Sequence, residues 1–226
     1  MPKVSAQYLA KKKKEIVEAA IRVCDTKPAY EVTLRDVVRE CGISTGGIYN
    51  YFASIDEILV EILNQAYGEY SYSEELIKIF ESDSPADEII VNAFKTEGKM
   101  IDFMYGRYGK FIMELEVILL NDPERGMRMI ANSKGNSENN IFMSSLYMLI
   151  EDKIAEGVFN PIIPVPHILF TVISAVSGLR SGVTTSEHTK GALLMLGITE
   201  EESYSAENLM ELLAKVMLNL LEGNVK

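Results

Sequence analysis

The chain has 226 residues, 47% of them hydrophobic, enough for one or two domains with a sizeable buried core. Its formal net charge of −11 argues against a uniformly basic nucleic-acid binder, and two cysteines, Cys24 and Cys41, are too few for a disulfide framework or a cysteine metal site. The longest apolar run, Ile162 to Val176, is broken by Pro164, Pro166 and His167, and the opening MPKVSAQYLAKKKK has no apolar stretch behind its charges. The expectation is therefore no membrane segment, no signal peptide and a cytoplasmic protein.

The charge is unevenly divided. Residues 1–52 hold nine Lys or Arg against six Asp or Glu, a net of +3, while the remaining 174 hold thirteen against twenty-seven, a net of −14. DNA binding needs only local neutralisation of phosphates, so the basic portion is the candidate for it, and the acidic remainder favours solubility.

In chain order, the first predicted helix spans about Lys12 to Asp25, with Ile16, Ala20, Val23 and Cys24 on its buried stripe. The run Lys11 to Lys14 at its start either meets a phosphate backbone or is a solvated terminus. Thr33 to Phe52, TLRDVVRECGISTGGIYNYF, reads as two short helices around a tight turn. Thr33 with Asp36 three residues later forms a capping box, Val37, Val38 and Cys41 supply the apolar face, and Gly42 stops the helix. Ser44 opens the second helix, whose third residue is Gly47 rather than an acid, so its N-terminal N–H groups and dipole are left for phosphate. Gly46 and Gly47 each cost roughly 1 kcal/mol inside a helix, which calls for close approach of the backbone to a surface. Tyr49, Asn50 and Tyr51 carry groups that bond phosphates or base edges, while Ile48 and Phe52 face inward.

Ser54 with Glu57 is a second capping box, opening a helix to about Tyr72 that joins two domains. The expected division is a DNA-binding domain at 1–53 and a second helical domain at 54–226. Ser82 to Pro85 is a loop. Helices are predicted at Ala86–Tyr105 and Tyr108–Leu120, then from Pro123 toward Glu156, with the polar stretch Ser133 to Asn140 interrupting it or not. A three-proline loop leads to helices at Ile168–Gly182 and Ala206–Leu221, with a short helix at Lys190–Leu196 between them. No β-strand pattern occurs, so the fold class is all-α.

The Thr33–Phe52 stretch resembles the helix-turn-helix of the tetracycline-repressor (TetR) family of bacterial transcription regulators. The resemblance rests on Thr33, Arg35-Asp36-Val37, Gly42-Ile43-Ser44, Gly46, Tyr49 and Tyr51-Phe52, and runs from about Glu15 to Leu59. It implies an N-terminal three-helix DNA-binding domain, a C-terminal ligand-binding and dimerisation domain, double-stranded DNA as partner and no cofactor. Arg35 matches a family position that can reach a base; Thr45 and Asn50 are further candidates for base contacts, Thr33, Ser44, Tyr49 and Tyr51 for phosphates, and Gly46 and Gly47 for close backbone approach. Pro28 stands where the family usually has glycine, and Ile55 where it commonly has a phosphate-binding lysine, so the loop at Lys27–Val32 and one backbone contact depart from the pattern.

The apolar stripes of the last two long helices read as core or as an interface, and the family resemblance implies the latter, a homodimer interface. Ser174 and Gly178 are its small residues, and Leu209, Leu213, Val216 and Leu220 belong to the broad apolar stripe. The Met- and aromatic-rich region reads as a helical core or a pocket, and the family resemblance implies a pocket for a small effector, among Phe103, Phe111, Phe142, Tyr147 and Phe170. Glu114 and Glu116 point about 200° apart on their helix, so one faces inward, where it either pairs within the protein or favours a cationic ligand. The function expected is a repressor released from a palindromic operator by an apolar ligand, cationic where the inward carboxylate has no partner within the protein. The alternative is a helical partner-binding protein or an enzyme without DNA binding. The enzyme reading is weak: His167 and His188 are far apart, and no phosphate loop or metal-ligand spacing occurs.

Overall fold

A computed structural model describes residues 5–70, 72–185, 195 and 205–223, leaving aside the side chains of 136–139. All regular structure among them is helical: α1 (Ala6–Thr26), a 3-10 turn (Ala29–Glu31), α2 (Leu34–Cys41), α3 (Thr45–Ile48), α4 (Ile55–Glu69), α5 (Ser73–Phe80), α6 (Ala86–Asn121), α7 (Pro123–Ala131), α8 (Lys134–Ala155), α9 (Val165–Thr184) and α10 (Ala206–Glu222). His188 and all of the Lys190–Leu196 segment except Met195 lie outside the described residues.

The chain forms two compact units that do not follow a single cut after residue 53. One comprises residues 1–69 and 110–136, the other 70–109 and 137–226. In the first, Ile16, Val17 and Ala20 of α1, Val37 of α2, Ile48 and Phe52, and Ile58, Leu59 and Ile62 of α4 make one core. Ile118 and Met129, from α6 and α7, are buried in the same core, and Phe111 and Leu115 pack against it. Arg125 of α7 forks onto Asp56 in the first turn of α4 at 2.6–3.1 Å, and the Lys134 N–H donates to Asn64 Oδ1 at 2.7 Å. The later segment is thus built into the N-terminal unit by both apolar burial and directed polar bonds.

The second unit buries Leu76 of α5, Ile90, Phe94, Ile101 and Met104 of α6, Leu146 and Ile150 of α8, Ile168 and Val172 of α9, and Met210, Ala214, Met217 and Leu221 of α10. Glu97, on the same stripe of α6, is 1% exposed. Its carboxylate accepts from the Tyr72 hydroxyl at 2.9 Å and from Arg180 Nη2 at 3.1 Å. Asp102, just over one turn further, accepts from the Ala206 and Glu207 N–H groups at 2.9 and 3.3 Å, and so fixes the start of α10.

Several helix boundaries differ from the sequence expectation. The first helix begins earlier because Ser5 caps it, its hydroxyl accepting from the Tyr8 N–H. The helices expected at 86–105 and 108–120 are one helix, since Gly106 and Gly109 weaken a helix without ending it and no proline intervenes. Thr184 lies directly over Gly109, where a side chain would collide with it, so that glycine serves packing and not chain reversal. The helix from Pro123 ends at Ala131, where Asn132 and Ser133 turn the chain and bond back to the carbonyls of Arg128 and Ile130. Ser73–Phe80 is a separate short helix, and the helix after Ser54 ends at Glu69.

Candidate nucleic-acid interface

The interface is built from α2 and α3. The Thr33 hydroxyl accepts from the Asp36 N–H at 3.3 Å, and the Thr33 N–H donates to Asp36 Oδ2 at 3.0 Å, which closes the capping box. Gly42, at φ 69°, provides the left-handed residue that ends α2 and redirects the chain. Ser44 then caps α3, its hydroxyl accepting from the Gly47 N–H at 3.0 Å. A Cβ at Gly47 would stand 2.9 Å from that hydroxyl oxygen, so glycine there preserves the cap. A Cβ at Gly46 would meet nothing within 4 Å.

Regular α3 is four residues long, shorter than expected, but the chain keeps turning: the Tyr51 and Phe52 N–H groups both donate to the Ile48 carbonyl, at 2.9 and 3.0 Å. Buried Ile48 and Phe52 anchor the segment, which turns Thr45, Gly46, Tyr49 and Asn50 to solvent, with Tyr49 58% exposed. Tyr51 is half-buried against the core.

Most cations of this unit are engaged. Arg22 pairs with Glu40 at 2.7 Å, Lys27 and Arg39 with Asp36 at 2.9 and 3.1 Å, Lys12 with Glu15 and Lys14 with Glu18. Lys13 stands over the Phe52 ring. Arg125 and Arg128 pair with Asp56 and Glu124. Arg35, exposed in the first turn of α2, is by contrast the one arginine among the described residues without an ion-pair or ring partner.

The Lys27 ammonium and the Thr33 donors hold the Asp36 carboxyl down at about 2, below its usual range. A depressed carboxyl contributes stability above its unfolded value of 3.8, and that contribution is lost as pH falls toward 2. The expected result is that Asp36→Asn lowers the melting temperature at pH 7, and that the gap from wild type closes between about pH 4 and 2, read by circular dichroism. Cys24, whose thiol burial pushes up to about 11, is a packed apolar residue and not a thiolate nucleophile.

The residues expected around an effector fall in both units. Phe103 stacks on Tyr70 with centroids 5.0 Å apart and meets the edge of Tyr108, and Phe142 packs edge-on against Phe94 in the second core. Tyr147 is exposed, as is Phe170 at 70%. Phe111, Glu114 and Glu116 belong to the N-terminal unit. Glu114 accepts from the Ala29 N–H at 2.9 Å and pairs with Lys110 at 3.3 Å, so its carboxylate is not left bare, and Glu116 faces solvent.

On α9 and α10, Ser174, Gly178 and Val216 are exposed and Leu209, Leu213 and Leu220 half-buried; Met217 faces the unit's own core. Phe170, Ile173 and Leu212 are further exposed apolar residues of these helices. Sequence reading missed the Glu97–Arg180 pair. The available signal was one carboxylate in the otherwise apolar series Ile90, Phe94, Glu97, Ile101, Met104. Among the described residues no cluster able to hold a metal occurs, and no helix is long and apolar enough to cross a membrane.

A capped helix, a left-handed glycine turn and a second short helix with an outward polar face, seated on a buried three-helix core, define a helix-turn-helix. Residues 16–62 match the model of bacterial regulatory proteins of the tetR family. The chain is 27% identical over 176 residues to the HTH-type transcriptional regulator YfiR of Bacillus subtilis (strain 168), a match covering 65% of this chain and 85% of that one. Its fold is similar to that of the TetR family regulator PfmR from Thermus thermophilus, with a TM-score of 0.56, 19% identity and 92% and 98% of the two chains covered. It is also similar in fold to FadR from Bacillus subtilis, solved in complex with stearoyl-CoA, with a TM-score of 0.54, 14% identity and the same shares covered.

Proposed function

We propose that this regulator is a repressor that binds a palindromic operator as a homodimer and releases it when an apolar small molecule binds the second unit. The observation that carries the DNA reading is Arg35, uncommitted in a region where neighbouring cations are paired, beside the outward Thr45, Tyr49 and Asn50. In this reading Arg35, Thr45 and Asn50 meet base edges. Tyr49, Tyr51 and the hydroxyls of Ser44 and Thr33 meet phosphates, and Gly46 and Gly47 keep the backbone close.

Exposed Phe170, Ile173, Leu212 and Val216, with the small Ser174 and Gly178 beside them, support α9 and α10 as the dimer face. The effector reading is supported by the aromatic set around Phe103 and by the acyl-CoA ligand of the similarly folded FadR. Glu114, engaged within its own unit, offers no reason to require a cationic ligand. Release requires the effector to bind the non-operator conformation more tightly; equal affinity for both states shifts nothing.

The test is selection of bound duplexes from a random pool. The enriched site is expected to be an inverted repeat with half-sites about 34–36 Å apart on one face. Arg35→Ala should relax choice at one position of each half-site by about 1–3 kcal/mol per contact, while Tyr49→Ala should weaken all sequences alike. Absence of any salt-sensitive DNA binding would overturn the reading in favour of a partner-binding protein.

A further inference from the structure

Two side chains of α6, one turn apart, grip the connection between α1 and α2. The Lys110 ammonium donates to the Cys24 carbonyl at 3.5 Å, one of the last-turn carbonyls that α1 leaves without a helical partner. Glu114 Oε2 accepts from the N–H of Ala29 at 2.9 Å. Ala29 is fully buried and opens the 3-10 turn, so that N–H has no partner within the turn itself. Pro28, between the two grips, has no N–H to offer.

On its far side the same connection is tied to α2, because Lys27 reaches Asp36 of the capping box at 2.9 Å, and Asp36 is the residue next to Arg35. The path from Glu114 to the base-reading arginine therefore consists of one backbone hydrogen bond, three residues of connection and one ion pair.

We propose that Glu114 is a positioning residue for operator recognition: by holding Ala29 it sets the seat of α2, and with it the direction in which Arg35 leaves the surface. The inference rests on the reading of Arg35 as a base contact. The role belongs to the acceptor oxygen and not to the negative charge, since a neutral amide oxygen accepts the same bond.

The experiment uses the full-length protein, the duplex enriched by selection and a shuffled duplex of the same composition. Binding is measured at a temperature where circular dichroism shows every variant folded. Glu114→Ala is expected to lower discrimination between the two duplexes about five- to tenfold, the scale of one lost hydrogen bond, with binding to the shuffled duplex unchanged. Glu114→Gln is expected to restore discrimination to within about twofold, because it keeps the acceptor.

A measurement on the wild type stands even if Glu114→Ala does not fold. If the operator favours the gripped arrangement, the Ala29 amide must exchange more slowly in the operator complex than in the free protein. Wild-type discrimination in Glu114→Ala, or unchanged exchange at Ala29 on operator binding, overturns this inference alone. If no duplex is enriched, the DNA reading falls and this inference falls with it.

Discussion

Arg180→Met is expected to destabilise the protein by about 3 kcal/mol, at the lower edge of the range for breaking a buried ion pair. Glu97 is almost wholly enclosed, and a carboxylate taken out of water is tolerable only with partners. It accepts from Arg180 at 3.1 Å and from the Tyr72 hydroxyl at 2.9 Å, and the guanidinium also stands 5.5 Å over the Tyr105 ring. Methionine fills similar volume but supplies no charge, so the carboxylate would keep its desolvation cost and lose its cation. The Arg180 side chain is 25% exposed, which lets solvent screen part of the loss and sets the estimate at the low edge. The double variant Glu97→Met with Arg180→Met should recover most of the stability, because it removes both charges together. Urea unfolding at pH 7 decides it. A single variant within about 1 kcal/mol of wild type, the level of an exposed pair such as Lys215–Glu211, would mean that the carboxylate is not isolated from water.

One substitution should have opposite effects at two positions of α6. Alanine for glycine within a helix gains about 0.5–1 kcal/mol when space allows. At Gly106 the new Cβ would meet nothing nearer than Val183 Cγ1 at 3.9 Å, so Gly106→Ala should stabilise by that amount. At Gly98 it would stand 2.5 Å from Glu207 Cα and 2.8 Å from the Ala206 carbonyl oxygen. Those are backbone atoms at the start of α10, and Asp102 already holds the same two residues through their N–H groups. They cannot swing aside as a side-chain tip would. Overpacking costs about 1–3 kcal/mol, more against fixed backbone, and exceeds the propensity gain. Gly98→Ala should therefore be net destabilising by about 2 kcal/mol. Melting temperatures of the two variants, moving in opposite directions from wild type, are the expected reading; a rise in both would remove the close α6–α10 packing.

The helix-turn-helix was legible because local chemistry decides it. Thr33 with Asp36, Gly42 and Ser44 act within a few residues, and the structure places each cap where its spacing puts it. Helix boundaries governed by packing were not legible. The break expected between Tyr105 and Tyr108 lies inside one helix of 36 residues, and what requires glycine at 109 is Thr184, distant in sequence. The surroundings of Glu114 were equally hidden. Helical spacing turns one of Glu114 and Glu116 inward without saying which, and the partner of Glu114 is a backbone N–H 85 residues earlier, which no side-chain pattern announces. The allotment of residues 110–136 to the N-terminal unit likewise depends on long-range burial of Ile118 and Met129, whose periodicity marks an apolar face without naming what covers it.

That allotment has a consequence for biosynthesis. The N-terminal unit is discontinuous, so its core stays open until residues 110–136 have left the ribosome. With translation at roughly 5–20 residues per second, the helices emerging first wait several seconds for Ile118 and Met129 to complete their core. Closing so long a loop adds little entropy cost, because that cost grows only logarithmically with length, but it delays the native contacts. A nascent chain stalled before residue 110 should therefore engage chaperones, and a fragment ending at Glu69 should be prone to aggregation, although it carries every residue of the helix-turn-helix.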